Sequence, residues 1–339
     1  MKHAASRRRP VFDVITIGSG VIDHFAKSKA FELEPSRSSP TGFDACFPLG
    51  AKLALDDLSL HTGGGATNAA ATFGRLKFKT ATVCRVGNDV FGGLITNQLR
   101  SDGVSTSFVQ VDPKVGTGQS IILLAHSGHR SILSFRGASA EISTKAIPWN
   151  NLTARWFYVT SLGGDVGLLS LILDRALACG AKVAWNPGGA ELSKGLDKLA
   201  PLIRRVDIFD VNREEAASLT ETPVRHLKTI MDMIADLPRV ALLLSDGPRG
   251  AYLSARGCTW FSPALPGRRV NTTGAGDALG SGFVAGFVKT CDLTIGLRVG
   301  MLNALGVIMQ MGAKNGILES WPSERELARV RIQSAHIRN

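Results

Sequence analysis

The sequence is poor in aromatic residues and in metal-ligand spacings, and it has no long apolar run. Phe, Trp and Tyr make up 6% of 339 residues. No stretch approaches the ~18 consecutive apolar residues of a membrane-spanning helix, which excludes that class. Cys46, Cys84, Cys179, Cys258 and Cys291 lie far apart and form no C-x-x-C. Neither a zinc site nor a redox pair is therefore indicated, and an odd cysteine count without a leader fits a cytoplasmic protein. The 7 His show no H-E-x-x-H spacing. G-x-x-x-x-G-K-[ST] and G-x-S-x-G are both missing, which removes the P-loop and the usual hydrolase elbow. Gly18-Ser-Gly20 follows a first apolar run, but Asp23 stands where a dinucleotide fingerprint needs its third glycine.

Glycine is abundant instead, with 37 residues, and 44% of the chain is hydrophobic. That apolar content excludes a disordered chain, and the glycines keep no collagen period. The formal charge is +11. Over half of it lies in two terminal segments, 1–10 (Lys2, Arg7, Arg8, Arg9) and 323–339 (Arg325, Arg329, Arg331 and Arg338 against Glu324 and Glu326). No aromatic residues interleave with these charges as stacking platforms, so they read as solvated tails rather than a nucleic-acid surface. The N-terminal segment also lacks the apolar region of a secretory signal.

Val11–Ile17 reads as a first buried strand and Thr80–Val86 as a second. Phe91–Leu99 reads as a helix with Asp89 as its cap. Segment 24–62 is too long for a simple connection and is expected to hold minor strands or a lid. Phe108–Val111, Ser120–Ala125 and Ser131–Phe135 read as further strands, with Gly128 in the last turn. Short apolar runs at 156–160, 182–185, 207–210 and 240–244 then alternate with expected helices at about 166–179, 191–204 and 213–236. This alternation predicts a parallel sheet covered on both faces. Two long helices, about 275–290 and 293–311, complete the pattern.

Two glycine-rich segments carry candidate chemistry. In Thr62-Gly-Gly-Gly-Ala-Thr-Asn68, glycine amides can approach a polar ligand, and Asn68 falls one turn into an Ala-rich helix, where it can bond hydroxyls. A tight loop packed on a sheet would use the same residues. In Asn271-Thr-Thr-Gly-Ala-Gly-Asp277, a glycine turn opens a helix whose free amides and positive dipole end favour an anion. Asp277 in the first turn is either a capping acid or a base beside an oxyanion hole. Phosphoryl transfer needs that pair: donors for the moving charge and a carboxylate for the hydroxyl proton. Gly280, Gly282 and Gly286 suit a helix packed close to its neighbours.

With these segments in this order, the sequence resembles the ribokinase-like (PfkB) carbohydrate kinase family. Val86–Gly92, Asn186-Pro-Gly-Gly189, Asn212-Arg-Glu-Glu215, Ser245–Gly250, Asn303 and Gly312–Gly316 extend the match over about 11–318. The resemblance implies a three-layer α/β/α fold with a mainly parallel sheet and a small β-lid. It implies one kinase domain over 11–320, with lid strands drawn from about 22–62 and 108–136. It further implies an ATP-dependent, Mg²⁺-requiring kinase acting on a hydroxyl of a small sugar. Asp277 matches the catalytic base, and Gly274, Ala275 and Gly276 match the anion hole. Asp23, Gly63, Gly64 and Asn68 match substrate-binding positions. Asn212 and Glu215 match positions that organise phosphates and Mg²⁺. Ser245, Gly247, Gly250 and Asn303 match the nucleotide pocket. Lid strands in this family often build a homodimer.

Two departures stand out. Asn271 replaces an Asp that helps ligate a monovalent cation in many members, so weak or absent K⁺ activation is expected. Gly65 stands where ribokinases often carry Lys, and the strand ending at Thr160 is followed by only one acid, Asp165; both weaken an assignment to ribose. The other readings are an adenosine-type nucleoside kinase and a non-catalytic ligand-binding member. Phe25, Phe31, Phe43 and Phe47 could supply the aromatic clamp that a nucleoside would need.

Overall fold

The computed structural model describes residues 11–37, 39, 42–125 and 130–335. Segment 1–10, the turn at Gly128 and the end bearing Arg338 lie outside the described residues. The apolar run Phe12–Ile17 forms an inner strand, paired in parallel with Thr80–Val83 on one side and Ala154–Val159 on the other. Beyond Ala154–Val159 come Lys182–Trp185, Ile208–Asn212 and Ala241–Ser245, all parallel. Gly250–Ala255 and Cys258–Pro263 add an antiparallel hairpin, and the described sheet reaches ten strands.

Both faces of this sheet are covered. Ile15, Ile17, Phe157 and Val159 face one core, while Val14, Trp156 and Tyr158 face the other. Strands buried on both sides need no polar alternation, which is why they read as continuous apolar runs. Trp185 is fully buried against Phe209, with ring centroids 5.5 Å apart. Truncating so large a core side chain to Ala costs about 3–5 kcal/mol.

Helix Val166–Cys179 ends on Gly180 in a left-handed C-cap, φ 71°. The expected helices at 191–204 and 213–236 are shorter than the sequence pattern implied. Gly189–Leu192 and Leu196–Ile203 are interrupted by Gly195 at φ 82°, and Arg213–Leu219 and Leu227–Ile234 by Glu221 at φ 51° and by Pro223. Positive φ and a missing N–H each break the i to i−4 ladder. Helices Ala275–Thr290 and Leu293–Ile308 pack backbone to backbone: a Cβ on Gly286 would lie 2.7 Å from the Gly296 Cα.

A second sheet of four strands runs in the order Arg130–Phe135, Gly118–Leu124, Val21–Lys27, Asp57–Gly63. The expected strand at 108 does not join it. Gln110–Asp112 pairs instead with Arg85–Gly87, tied there by the Arg85–Asp112 ion pair. Glu32–Pro35 and Phe43–Cys46 form a hairpin of their own. Register places Asp23 beside Ser120 and His61, on the face turned to the main sheet's carboxyl ends. The other face exposes Leu60, Ile121 and Leu133.

Candidate active site

Two helix starts meet at the carboxyl ends of the central strands, where open α/β sheets bind ligands. The lid strand Asp57–Gly63 turns directly into helix Gly65–Arg75. Gly64 makes the turn at φ 95°, and a Cβ there would lie 2.6 Å from the Ser19 carbonyl oxygen. Gly63 lies against Asp23, whose Oδ2 would stand 2.1 Å from a Cβ at that position. Asn68, one turn into the helix, donates from Nδ2 to Asp277 Oδ2 at 2.8 Å. Its Oδ1 is buried and has no partner. Asp23, Gly63, Gly64 and Asn68 are thus brought together, and Asn68 joins them to Asp277.

The second helix start is Gly274–Asp277. Gly274 is left-handed at φ 80°, and a Cβ there would lie 2.5 Å from the Ala313 Cβ. The amides of a first helical turn have no intrahelical acceptor, and nothing lies within 4 Å of a Cβ placed on Gly276. The turn therefore offers open donors and a positive dipole end to an anion. Burial raises the Asp277 pKa, while the Asn68 hydrogen bond and the charge of Lys314 act the other way. Asp210 is held well above the usual carboxylate range by burial and by the charges of Glu215 and Asp277, and Tyr158 donates to it at 3.5 Å. Glu215 is raised by burial and by Asp277.

A cavity of about 540 Å³ opens from this turn. Gly274, Ala275, Gly276 and Asp277 line it together with Asn212, Glu215, Ser245, Gly247 and Gly250. Met301, Ala304 and Leu305 add apolar wall. Asn212 and Glu215 also cap helix Arg213–Leu219 reciprocally: Glu215 N–H donates to Asn212 Oδ1 at 2.8 Å, and Asn212 N–H donates to Glu215 Oε2 at 2.9 Å. Arg130 and Arg269 bring cationic groups to the cavity. Arg130, from the lid, donates to Thr272 Oγ1 at 2.6 Å and so ties the lid to the anion turn.

Asn303 is a correction. It is fully buried, donates to Thr72 Oγ1 and the Ala278 carbonyl, and accepts from Leu318 N–H. Its polar atoms are spent on joining three segments of the core, and none is left for a nucleotide. Asn271 is also buried away from the cavity wall. Its Oδ1 accepts from Thr273 N–H at 3.1 Å, which fixes the amide orientation and leaves Nδ2 buried without a partner. The Asn271 side chain thus offers that space an N–H donor, not the lone pair that a monovalent cation needs. Asp165 caps helix Val166–Cys179 through Leu168 N–H. Phe25 is buried edge-on to His61, and Phe31 lies 6.4 Å from Phe47, so these rings pack within the lid region.

Three residues were missed from the sequence: Arg130, Asp210 and Lys314. Lys314 is buried and donates to Thr62 Oγ1 at 3.0 Å and Thr67 Oγ1 at 2.9 Å. A lone Lys in the turn Gly312–Gly316 carries no sequence signal of burial. Asp210 follows two apolar strand residues, and its place before Asn212 was the only available hint.

A glycine-turn anion site, a carboxylate beside it and a lidded α/β sheet together define a small-molecule kinase. The pfkB family carbohydrate kinase pattern matches residues 44–320, and the chain belongs to that family. It is 24% identical to a ribokinase of Haemophilus influenzae over 273 residues, covering 79% of this chain and 88% of the relative. Arabidopsis thaliana ribokinase complexed with ribose and ATP has the same fold, with a TM-score of 0.73 at 20% identity, over 94% of this chain and 98% of that one. Adenosine kinase from Sinorhizobium meliloti also has it, with a TM-score of 0.73 at 22% identity, over 89% and 95%.

Proposed function

We propose that this chain transfers the γ-phosphoryl group of ATP to a hydroxyl of a small sugar. The observation that carries this is the Asn68–Asp277 hydrogen bond, which joins the substrate loop to an acid that lines the cavity. An acceptor hydroxyl held by Asp23 and by the free Oδ1 of Asn68 would lie beside Asp277. Asp277 would take its proton, and the first-turn amides at Gly276 and Asp277 would stabilise charge on the moving phosphoryl oxygens. The cavity volume suits a nucleotide, with apolar wall for a base and glycine turns at Gly247 and Gly250. The carboxylate of Glu215 is a hard oxygen donor suited to Mg²⁺ through water. When bound, Mg²⁺ neutralises phosphate charge; the chain's own residues orient the acceptor and move its proton.

The same reading takes 11–320 as one kinase unit in a cytoplasmic setting. Among the described residues no helix is long and apolar enough to cross a membrane, and all five cysteines are free thiols. The exposed Leu60, Ile121 and Leu133 support a homodimer through the lid, which sedimentation of the purified protein tests. The kinase reading is tested by a coupled assay with MgATP and D-ribose, 2-deoxy-D-ribose, D-fructose or adenosine. Phosphorylated product from a sugar is expected. Turnover with adenosine alone would move the assignment to a nucleoside kinase, and a chain that binds ligand without turnover would be a non-catalytic member.

A further inference from the structure

The turn after helix Leu293–Ile308 touches three parts of the site with three consecutive residues. A Cβ on Gly312 would lie 2.8 Å from Nδ1 of the lid residue His61. Ala313 packs against Gly274 of the anion turn. Lys314 sends its ammonium to Thr62 and Thr67, which flank the glycines of the substrate loop. The preceding helix supplies cavity wall through Met301, Ala304 and Leu305.

Resting on the kinase reading, we infer that Lys314 is a positioning residue for phosphoryl transfer. Its ammonium braces the Thr62–Thr67 loop through both threonine hydroxyls, and its charge acts on Asp23 and Asp277. A buried ammonium is costly unless something compensates it, and two neutral hydroxyls do not balance a charge. Asp102 is near but already paired with Arg75 at 2.8 Å. The Cys84 thiol beside it is pushed up to about 12 by burial and stays neutral. Burial raises the pKa of both Asp23 and Asp277, and the Lys314 charge acts against that shift at each. His24 acts on Asp23 from the lid, and His61 faces the same turn. The bracing is mechanical as well. Thr67 Oγ1 accepts from Lys314 and donates to the Gly63 carbonyl at 2.6 Å, so the ammonium fixes the residue against which Asp23 lies. A hydrophobic side chain would pack this position at less cost, but it would supply neither the charge nor the brace.

The test compares the wild-type chain with Lys314→Gln, using whichever of D-ribose, 2-deoxy-D-ribose, D-fructose or adenosine supports turnover. Loss of the positive charge raises the pKa of the facing carboxylates. The acid limb of kcat/KM is expected to move to higher pH. The acceptor KM is expected to rise about tenfold, the effect of one lost hydrogen bond, with KM for ATP unchanged. A role confined to stability would lower Tm and leave the acid limb and the KM ratio where they were, and that result overturns the inference. If Lys314→Gln does not fold, Thr62→Val and Thr67→Val each remove one hydroxyl partner, and an unchanged acceptor KM in both overturns it equally. If no acceptor is turned over, the kinase reading falls by itself. A ¹³C NMR titration of the Asp23 and Asp277 carboxyl carbons then decides the electrostatic claim: unmoved midpoints in Lys314→Gln refute it.

Discussion

Asn68 and Asp277 stand 209 positions apart in the chain and meet at 2.8 Å, amide Nδ2 to carboxylate Oδ2. The bond has two consequences. It holds down the pKa of a carboxyl group that burial raises. It also leaves Asn68 Oδ1 buried and unpartnered.

Asn68→Ala should therefore do two separable things. The acid limb of kcat/KM should move to higher pH, because Asp277 loses a donor that favours its charged form. The acceptor KM should rise about tenfold, the effect of one lost hydrogen bond. A pH–rate series at several acceptor concentrations checks both, and an unmoved acid limb contradicts the first.

Asp277→Asn separates activity from stability. On the base role proposed for Asp277, its loss costs about 10²–10⁴ in turnover. The same change should raise the Tm of the ligand-free protein at neutral pH. The folded-state pKa of Asp277 is raised, so its ionised form opposes folding as pH rises through that value. Asp210 and Glu215 are raised partly by the charge of Asp277, so they gain from its removal too. Thermal melts at pH 7 beside a turnover assay test this, and a variant that is both inactive and less stable argues against it.

Gly63→Ala should damage acceptor binding and spare the nucleotide. Its Cβ would fall 2.1 Å from Asp23 Oδ2, so the carboxylate or the loop must shift. A misplacement of that size costs about 10²-fold in rate. Kinetics with the acceptor and isothermal titration with ATP read the two effects apart.

The sequence pattern made the two glycine signatures legible because each depends on what only glycine can do there. Gly64 and Gly274 adopt positive φ, and Gly63 leaves room for a carboxylate. Asn68 was legible for the same reason, lying one turn past such a start. Asn303 was carried to the nucleotide pocket by the family resemblance alone, which does not see its contacts. Only the fold reveals that Thr72, Ala278 and Leu318 use up its polar atoms. Lys314 was illegible because its burial comes from tertiary contacts with the lid strand and the first helix. The helix ends at 195 and 221 were missed because local backbone geometry broke an apolar periodicity that otherwise continued.

K⁺ should give no specific activation. Asn271 Oδ1 is committed to Thr273 N–H, and its Nδ2 points a donor into the buried space. Rates in KCl and in choline chloride at matched ionic strength should agree. A saturable stimulation by K⁺ would falsify this reading of Asn271.

Lys314 should also leave a mark on stability in mildly alkaline solution. Burial pulls its pKa down to about 8 from the ordinary 10.5. Between those values the unfolded chain holds the extra proton, so unfolding free energy rises with pH across that window. Cys84 opposes this at higher pH. Its thiol titrates at about 12 when folded against 9.0 for an ordinary thiol, so above 9.0 the folded chain holds the extra proton and stability falls. The clean interval therefore runs from about 8 to about 9, where the gain is about 1 kcal/mol. Urea denaturation at closely spaced pH values should show this rise in the wild-type chain and lose it in Lys314→Met. An equal rise in both proteins would assign the titration to another group.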